Sequence, residues 1–392
     1  VVGRAVAGDL STIGLGTSTQ TTDCIAGLKP GTVVRIGREL TAATEQSRNA
    51  AGRVTLRFHT SAQACGSLES IVFSKLGEWD VPFIVGPLAP FTGWVELVRQ
   101  AVVPPLADKA DFVFTVQETS AGPALVASGP LDVQHLGLPH KAEFNGDAYQ
   151  DLVWRNYATG QNVIWMMHGP SVHLVVDLPA IPNPDYRLEG AADFNFDGRS
   201  DLLWRNEVTG QNAVWFMNAT ALESIGDLPG LPNADYRFEG TGDFNGDGKP
   251  DVVLRNAMTG QNAVWLLDGL NVAAIIDLPG LPNPDYHVEG IADFTGDLKY
   301  DIVWRNAVTG QNALWIMDGN VLSGVVDLPA LPNAGYHIDA VGDLNRDFRP
   351  DIIWRNPATG QNAVWLMDGT SVGAIRDLPP IANLDFRIGA PR

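Results

Sequence analysis

The chain has 392 residues, 45 acids against 26 bases, a formal net charge of −19 and 45% apolar residues. That acidity excludes a basic nucleic-acid binder, and the apolar content excludes a chain disordered throughout. No run approaches the ~18 apolar residues of a transmembrane helix.

At ~150 residues per domain, two or three domains are expected. The charge divides along the chain: residues 1–135 carry 12 acids and 10 bases, whereas residues 136–392 carry 33 and 16. The chain opens at Val1 rather than methionine, which suits a processed product that has lost a secretory signal. In the first region, residues 32–36, 53–58, 70–73 and 111–116 read as strands separated by Gly and Pro clusters, and residues 95–102 are read as strand too. The stretch 120–139 reads as a final strand and junction. These runs predict a β-sandwich-like domain over residues 1–135. Cys24 and Cys65 fit one disulfide, worth ~3–4 kcal/mol in the chain-entropy model. The alternative is a pair of buried thiols. A disulfide favours an oxidising compartment.

Beyond residue 136 the sequence repeats with a period of 50 and no insertion, five times over residues 140–389. Thr159-Gly160-Gln161-Asn162 recurs at 209–212, 259–262, 309–312 and 359–362. Arg155, Arg205, Arg255, Arg305 and Arg355 are each followed by Asn, and Trp165, Trp215, Trp265, Trp315 and Trp365 keep the same phase. A second tryptophan stands at 154, 204, 304 and 354, with Leu254 breaking the series. Within the third unit, residues 236–240, 252–255, 263–267 and 272–276 are short β-rich runs split by turn residues. Four strands per 40–50 residues is the arithmetic of a propeller blade. Residues 136–392 are therefore expected to form a five-bladed β-propeller, the whole chain being all-β. Asp385-Phe386-Arg387-Ile388-Gly389 matches the first strand of a unit, while Leu136–Pro139 does not. The C-terminal strand is thus expected to complete the first blade and remove an open edge.

The loop between the first two strands of each unit is acidic. In the third it places Asp243, Asn245, Asp247 and Asp251 at positions 1, 3, 5 and 9, with Gly248 at position 6. The second has Asp193, Asn195, Asp197 and Asp201 around Gly198. The first has Glu143, Asn145, Asp147 and Asp151 with Ala148. The fourth has Asp293, Thr295, Asp297 and Asp301 with Leu298, and the fifth Asp343, Asn345, Asp347 and Asp351 with Phe348. Oxygen side chains at these spacings suit one hard cation each. Up to five Ca²⁺ are expected, blades two and three offering the best sites because a non-glycine residue at position 6 is penalised where φ must be positive. The alternative is a hairpin held by Asx turns alone.

These loops, with the run from Trp304-Arg305-Asn306 to Met317-Asp318-Gly319, resemble the FG-GAP or VCBS repeat of integrin-α-like propellers, over about 250 of the 392 residues. The resemblance implies an extracellular propeller that binds calcium through loop positions 1, 3, 5 and 9. It also implies service in adhesion, glycan binding or accessory roles.

Strand directions alternate within a blade, so the acidic loops share one face and the Thr-Gly-Gln-Asn turns share the other with the Pro-rich connections. That second face carries Gln161, Asn162, Tyr186, Gln211, Asn212, Tyr236, Gln261, Asn262, Tyr286, Gln311, Asn312 and Tyr336. Amides and aromatic platforms suit sugar hydroxyls and C–H faces, and five weak sites give avidity. Thr-Gly is equally good hairpin chemistry, and the tryptophans read as core. The arginines must be paired if buried, and an acid from the loops or from Glu189, Glu239, Glu289 or Asp339 is the expected partner. No zinc-protease pattern, nucleophile elbow or phosphate loop occurs. The expectation is a secreted, non-catalytic, calcium-binding propeller that recognises a glycan or a cell-surface or extracellular protein. The alternatives are a protein–protein scaffold and a secreted polysaccharide hydrolase or lyase.

Overall fold

In the computed structural model the described residues are seven strands between residues 18 and 137, followed by residues 141–392 apart from 146–148, 198, 232, 234 and 334. The chain divides into two compact units, Val1–Pro139 and His140–Arg392.

The first unit contains β1 (Ser18–Ala26), β2 (Val33–Ala42), β3 (Arg48–His59), β4 (Glu78–Leu88), β5 (Val95–Val102), β6 (Lys109–Glu118) and β7 (Val126–Gly137). They form two antiparallel sheets, ordered β1-β6-β3-β4 and β5-β2-β7. The sandwich packing, the strand expected at 70–73 and the Cys24–Cys65 disulfide lie outside the described residues.

The second unit is a five-bladed propeller of four-stranded antiparallel sheets. Blade two comprises β11 (Tyr186–Ala192), β12 (Asp201–Asn206), β13 (Asn212–Asn218) and β14 (Ala221–Leu228). Blade three repeats it as β15 (Tyr236–Gly242), β16 (Asp251–Asn256), β17 (Asn262–Asp268) and β18 (Asn271–Leu278). Blade four has β19 (Tyr286–Ala292), β20 (Asp301–Asn306), β21 (Asn312–Asp318) and β22 (Val321–Leu328). Blade five has β23 (His337–Gly342), β24 (Asp351–Arg355), β25 (Asn362–Asp368) and β26 (Ser371–Leu378). Blade one is composite. Its β8 (Leu152–Asn156), β9 (Asn162–His168) and β10 (Ser171–Leu178) take their inner strand from β27 (Phe386–Ala390), paired Phe386 to Asn156 and Ile388 to Trp154. Both ends of the repeat array therefore meet in one sheet, and blade one gains the same four strands as the others.

Burial follows position in the blade. The second strands are buried along their whole length, as in Asp201–Asn206, because neighbouring blades cover both faces. The fourth strands are exposed on alternate residues, with Ile225, Ile275 and Val325 outward. The core lies between blades: Val153, Ile164 and Met166 pack with Leu188, Leu202, Trp204 and Trp215 across the first seam. Trp154, Trp204, Trp304 and Trp354 are fully buried and meet Trp165, Trp215, Trp315 and Trp365 as tilted pairs 4.6–4.9 Å apart. Where Leu254 interrupts the series, Phe238 supplies the ring against Trp265 at 5.5 Å.

The repeated arginines link the blades. Arg155 stacks on Trp204 of the next blade, Arg205 on Phe238, Arg255 on Trp304, Arg305 on Trp354, and Arg355 on Trp154, at 4.9–5.3 Å. This ring of cation–π contacts closes across the same seam as the composite blade. The expected carboxylate is a charge neighbour rather than a hydrogen-bond partner: Glu239 acts on Arg255 electrostatically, while Arg255 donates to the carbonyls of Gly260, Leu281 and Asn283 and to Asn262 Oδ1. A planar fork of N–H donors fits this set of carbonyls, which a single carboxylate does not span.

Candidate functional site

On the turn face, the Thr-Gly-Gln-Asn tetrad is mostly spent on architecture. Gly260 has φ +74°, and a Cβ there would meet the Leu281 carbonyl oxygen at 2.2 Å, so glycine is required both for conformation and for close approach. Thr259 Oγ1 accepts from Gln261 N. Asn162, Asn212, Asn262 and Asn312 are buried: each accepts from its arginine and donates to the carbonyl of Pro179, Pro229, Pro279 or Pro329. These asparagines stand in the wall of the turn and offer nothing to a ligand, a correction to the sequence reading. Gln161, Gln211, Gln261 and Gln311 are exposed, and Tyr186, Tyr236, Tyr286 and Tyr336 half-buried beside them. Tyr286 Oη donates to Gln311 Oε1 at 3.2 Å, and Tyr336 Oη to Gln361 Oε1 at 3.2 Å. The crest of this face also exposes Val208, Met258 and Val308.

On the opposite face each acidic loop is wound around its own carboxylates. Asp243 Oδ1 accepts from the backbone N–H of Gly246 and Asp247, and Oδ2 from that of Gly248. Asn245 Oδ1 accepts from Asp247 N. The position-9 aspartate is fully buried and joins loop to strand: Asp251 Oδ2 accepts from Phe244 N and Oδ1 from Leu267 N, both at 2.9 Å. Asp201, Asp301 and Asp351 repeat this, and Asp151 does so in blade one. Position 7 reaches the neighbouring turn: Arg199 bonds Asn218, and Lys249, Lys299 and Arg349 pair with Asp268, Asp318 and Asp368. In blade one the equivalent residues Tyr149 and His168 stack instead, at 4.4 Å.

Glycine does not decide the loop's shape. Gly248, Leu298 and Phe348 at position 6 all have φ between +61° and +83°, and so do Phe196, Gly246, Gly296 and Arg346 at position 4, with φ between +64° and +75°. Blades four and five thus hold non-glycine residues in the left-handed region at ~1–2 kcal/mol each. Asp147 and Ala148 of the first loop lie outside the described residues.

Burial is the chief cause that pushes Asp201, Asp251, Asp301 and Asp351 up to about 7, with neighbouring loop acids adding to it and the backbone N–H bonds opposing it. Asp243 and Asp293 are raised for the same first reason. A cation among these oxygens would offset that penalty, and the donor set is all oxygen, as calcium requires. Among the described residues, no three His, Cys, Asp or Glu side chains are disposed to hold a metal ion as they stand. The loop oxygens face backbone N–H groups, so metal uptake would require them to turn.

Along the propeller axis lies a third set of groups. Glu189, Glu239, Glu289 and Asp339 occupy one position in four inner strands, and Gly389 takes that position in β27. In each strand this residue is the extra residue of a bulge: pairing passes from Leu188 to Gly190, from Phe238 to Gly240, from Val288 to Gly290, and from Ile338 to Ala340. A bulge re-aims its side chain. Here it turns the acids toward Arg392, whose guanidinium lies 4.0 Å from both Glu189 and Glu289. Lys141 Nζ donates to the Thr241, Ile291 and Arg392 carbonyls. Burial lowers Lys141 to about 7 and raises Glu189 and Glu239 to about 7, Glu289 to about 8 and Asp339 to about 6. The sequence placed the four acids in register but assigned them to the repeated arginines. Arg392 and Lys141 carried no repeat signal.

The geometry defines a five-bladed, all-β propeller whose blades share an acidic first loop. A family model described as FG-GAP-like repeat matches residues 193–254, and one described as FG-GAP repeat matches residues 334–367. Together with the five-bladed fold, these two matches support an FG-GAP repeat propeller for this unit. Such propellers are in general ligand- or protein-binding modules rather than enzymes. A search of curated proteins finds no match. Among solved structures, a putative 6-phosphogluconolactonase from Bacteroides uniformis is 14% identical at a TM-score of 0.32, covering 83% of this chain and 95% of that one. An auxiliary nutrient binding protein from Bacteroides thetaiotaomicron is 11% identical at 0.27, covering 50% and 53%. The enzymatically active domain of tailspike protein 4 from bacteriophage CBA120 is 14% identical at 0.21, and the match spans 32% of this chain and 15% of the tailspike. Likenesses this slight carry nothing about function. Among the described residues, no helix is long and apolar enough to cross a membrane.

Proposed function

We propose that this protein is an extracellular, calcium-binding propeller that recognises glycans on its turn face. The observation carrying this is the array of five exposed glutamines with four half-buried tyrosines and Phe386 in the fifth blade position, Tyr–Gln hydrogen bonds being formed in blades four and five. Amide and phenol groups offer both donors and acceptors to sugar hydroxyls, and the ring faces offer C–H contact. Calcium is assigned to the opposite face, at Asp193, Asn195, Asp197 and Asp201, at Asp243, Asn245, Asp247 and Asp251, and at the equivalent positions of the other loops. Its role is to neutralise buried carboxylates and lock the loops, stabilising by RT ln(1 + [L]/Kd), ~2.7 kcal/mol at 100 Kd. A protein ligand on the same face is the second reading, favoured by the exposed crest of Val208, Met258 and Val308.

A glycan array run with calcium and again with chelator tests the proposal. Binding to one sugar class is expected, reduced at least tenfold by Gln261→Ala with Gln311→Ala, both exposed, at unchanged Tm. Chelator is expected to lower the Tm. A blank array from folded, calcium-loaded protein would remove the glycan reading, and a Tm indifferent to both calcium and chelator would remove the metal.

A further inference from the structure

The five repeated arginines are not equivalent. Nη2 of Arg155, Arg205, Arg255 and Arg305 donates in each case to two carbonyls of the following connection or of the strand it enters. Arg355 is fully buried and keeps only its Nη1 bonds, to the Gly360 carbonyl at 3.5 Å and Asn362 Oδ1 at 2.9 Å. Its Nε and Nη2 are buried with no hydrogen-bond partner. Buried polar groups are ordinarily satisfied, a guanidinium above all. The edge left over is the flat Nε–Nη2 edge, whose two parallel N–H groups match the two oxygens of a carboxylate. The connection over this arginine differs as well. The residue before its asparagine is Pro182, Pro232, Pro282 and Pro332 in the other blades and Ala382 here, so φ is not fixed by a ring. Residues 382–385 are exposed.

The charge around Arg355 is mainly positive. It stacks on Trp154 of blade one and faces Arg387 of β27. Its cross-strand neighbour is His337, which itself faces Arg305 and Arg387. Asp185, Asp235, Asp285 and Asp385 stand two residues before the equivalent position of their inner strands, but blade five has Gly335 there. Two acids temper this charge. Asp385 is exposed on the connection. Asp339 faces Arg355 and accepts the Ile388 N–H, but its Oδ2 makes no hydrogen bond, so the free edge of Arg355 stays unfilled.

We propose that the seam between blades five and one, on the turn face, is a carboxylate-binding subsite, in which Arg355 receives the acid group of a uronate-type sugar through Nε and Nη2, with Arg387 and His337 beside it. This subsite rests on the glycan reading and narrows it to acidic sugars. The carboxylate takes the place that carbonyls hold over the other four arginines, and residues 382–385 move aside to admit it. The stack on Trp154 fixes the guanidinium plane before the ligand arrives. A neutral sugar hydroxyl offers one oxygen to the same edge and leaves the second N–H bare. The other four seams hold no copy of the subsite, because their Nη2 groups are already bonded.

The probe is methyl β-D-glucuronide, titrated calorimetrically into the full calcium-loaded chain at neutral pH, with its methyl ester and methyl β-D-glucoside as uncharged counterparts. One saturable site is expected, with both counterparts at least tenfold weaker. Arg355→Lys keeps the charge and loses the edge, and is expected to weaken the glucuronide at least tenfold. Asp339→Asn removes the opposing charge and is expected to tighten it at least twofold. Arg376→Gln, on the exposed fourth strand of blade five, leaves it unchanged. Should Arg355→Lys fail to fold, His337→Gln with Arg387→Gln carries the test with at least a threefold loss. No saturable binding to the wild-type chain, equal affinity for the ester, undiminished binding by the folded variant, or weaker binding by Asp339→Asn would each overturn the proposal. Neutral sugars bound on the array, with glucuronide and glucoside bound equally here, would remove the carboxylate subsite alone. A blank array beside glucuronide binding that depends on Arg355 would remove the glutamine and tyrosine sites alone.

Discussion

Asp251 and Glu239 stand in the same blade, and burial pushes both carboxyls up to about 7. Their surroundings are opposite. Asp251 accepts two backbone N–H bonds that tie the acidic loop to the third strand, while Glu239 accepts none. A raised pKa alone therefore says nothing about role. The loop aspartate is a bracket that the fold needs, repeated wherever a blade is built. The axial glutamate is held by charge instead, facing Arg392, Arg237 and Arg255 without a backbone N–H bond. The same contrast separates the two faces. The turn face gives its Thr, Gly and Asn to architecture and leaves Gln and Tyr outside, whereas the loop face encloses its acids.

Deleting residues 383–392 strips both regions together and has the largest expected effect. It removes β27 from blade one, exposing the Trp154 edge, and it withdraws Arg392 from the ring. A loss of more than ~5 kcal/mol, much of a domain's total stability, is expected. Urea denaturation of the propeller unit measures it. A midpoint close to wild type would show that closure across the seam is dispensable.

Asp251→Ala separates the two classes. It orphans the N–H groups of Phe244 and Leu267, both buried, at ~1–3 kcal/mol each, so ~2–5 kcal/mol should be lost in calcium-free protein. A calcium-bound loop would add to that loss. A cost below ~1 kcal/mol would mean that the aspartate is a metal ligand first and a bracket second.

Much of this contrast was legible beforehand. The period of 50, the four runs per unit and the mismatch at residues 136–139 gave the blade count, the strand positions and the closing strand. The oxygen spacing of the loops marked them as one feature, though not the positive φ values that Leu298 and Phe348 accept. Three things were hidden. Hydrophobic periodicity shows where a strand runs but not where a bulge inserts a residue, so Glu239 read as the partner of Arg255 alone, whereas it faces Arg392 and Arg237 as well. Nor does spacing show that a guanidinium is met by carbonyls of a connection 26 residues onward, as Arg255 is by Leu281. The asparagines at 162, 212, 262 and 312 were offered as ligand groups because sequence registers amide chemistry, not which way the amide faces.

The smallest effect expected is also the one of opposite sign. The folded pKa of Glu239 lies above its ordinary 4.5, at about 7. The native state therefore binds more protons than the unfolded state between those values, and stability falls as pH rises through that window. Glu239→Gln removes a group whose burial cost is only partly offset by Arg392, Arg237 and Arg255. It is expected to be neutral at pH 5 and to stabilise by about 1 kcal/mol at pH 8, the intrinsic gain being offset in part by the attraction that Arg392 loses. Denaturation midpoints at the two pH values measure this, in calcium-free buffer so that the loops contribute equally to both proteins. Destabilisation at pH 8 would mean that the attraction between Glu239 and Arg392 outweighs the cost of burial, and the difference drawn between the two carboxylates would then fail at its axial end.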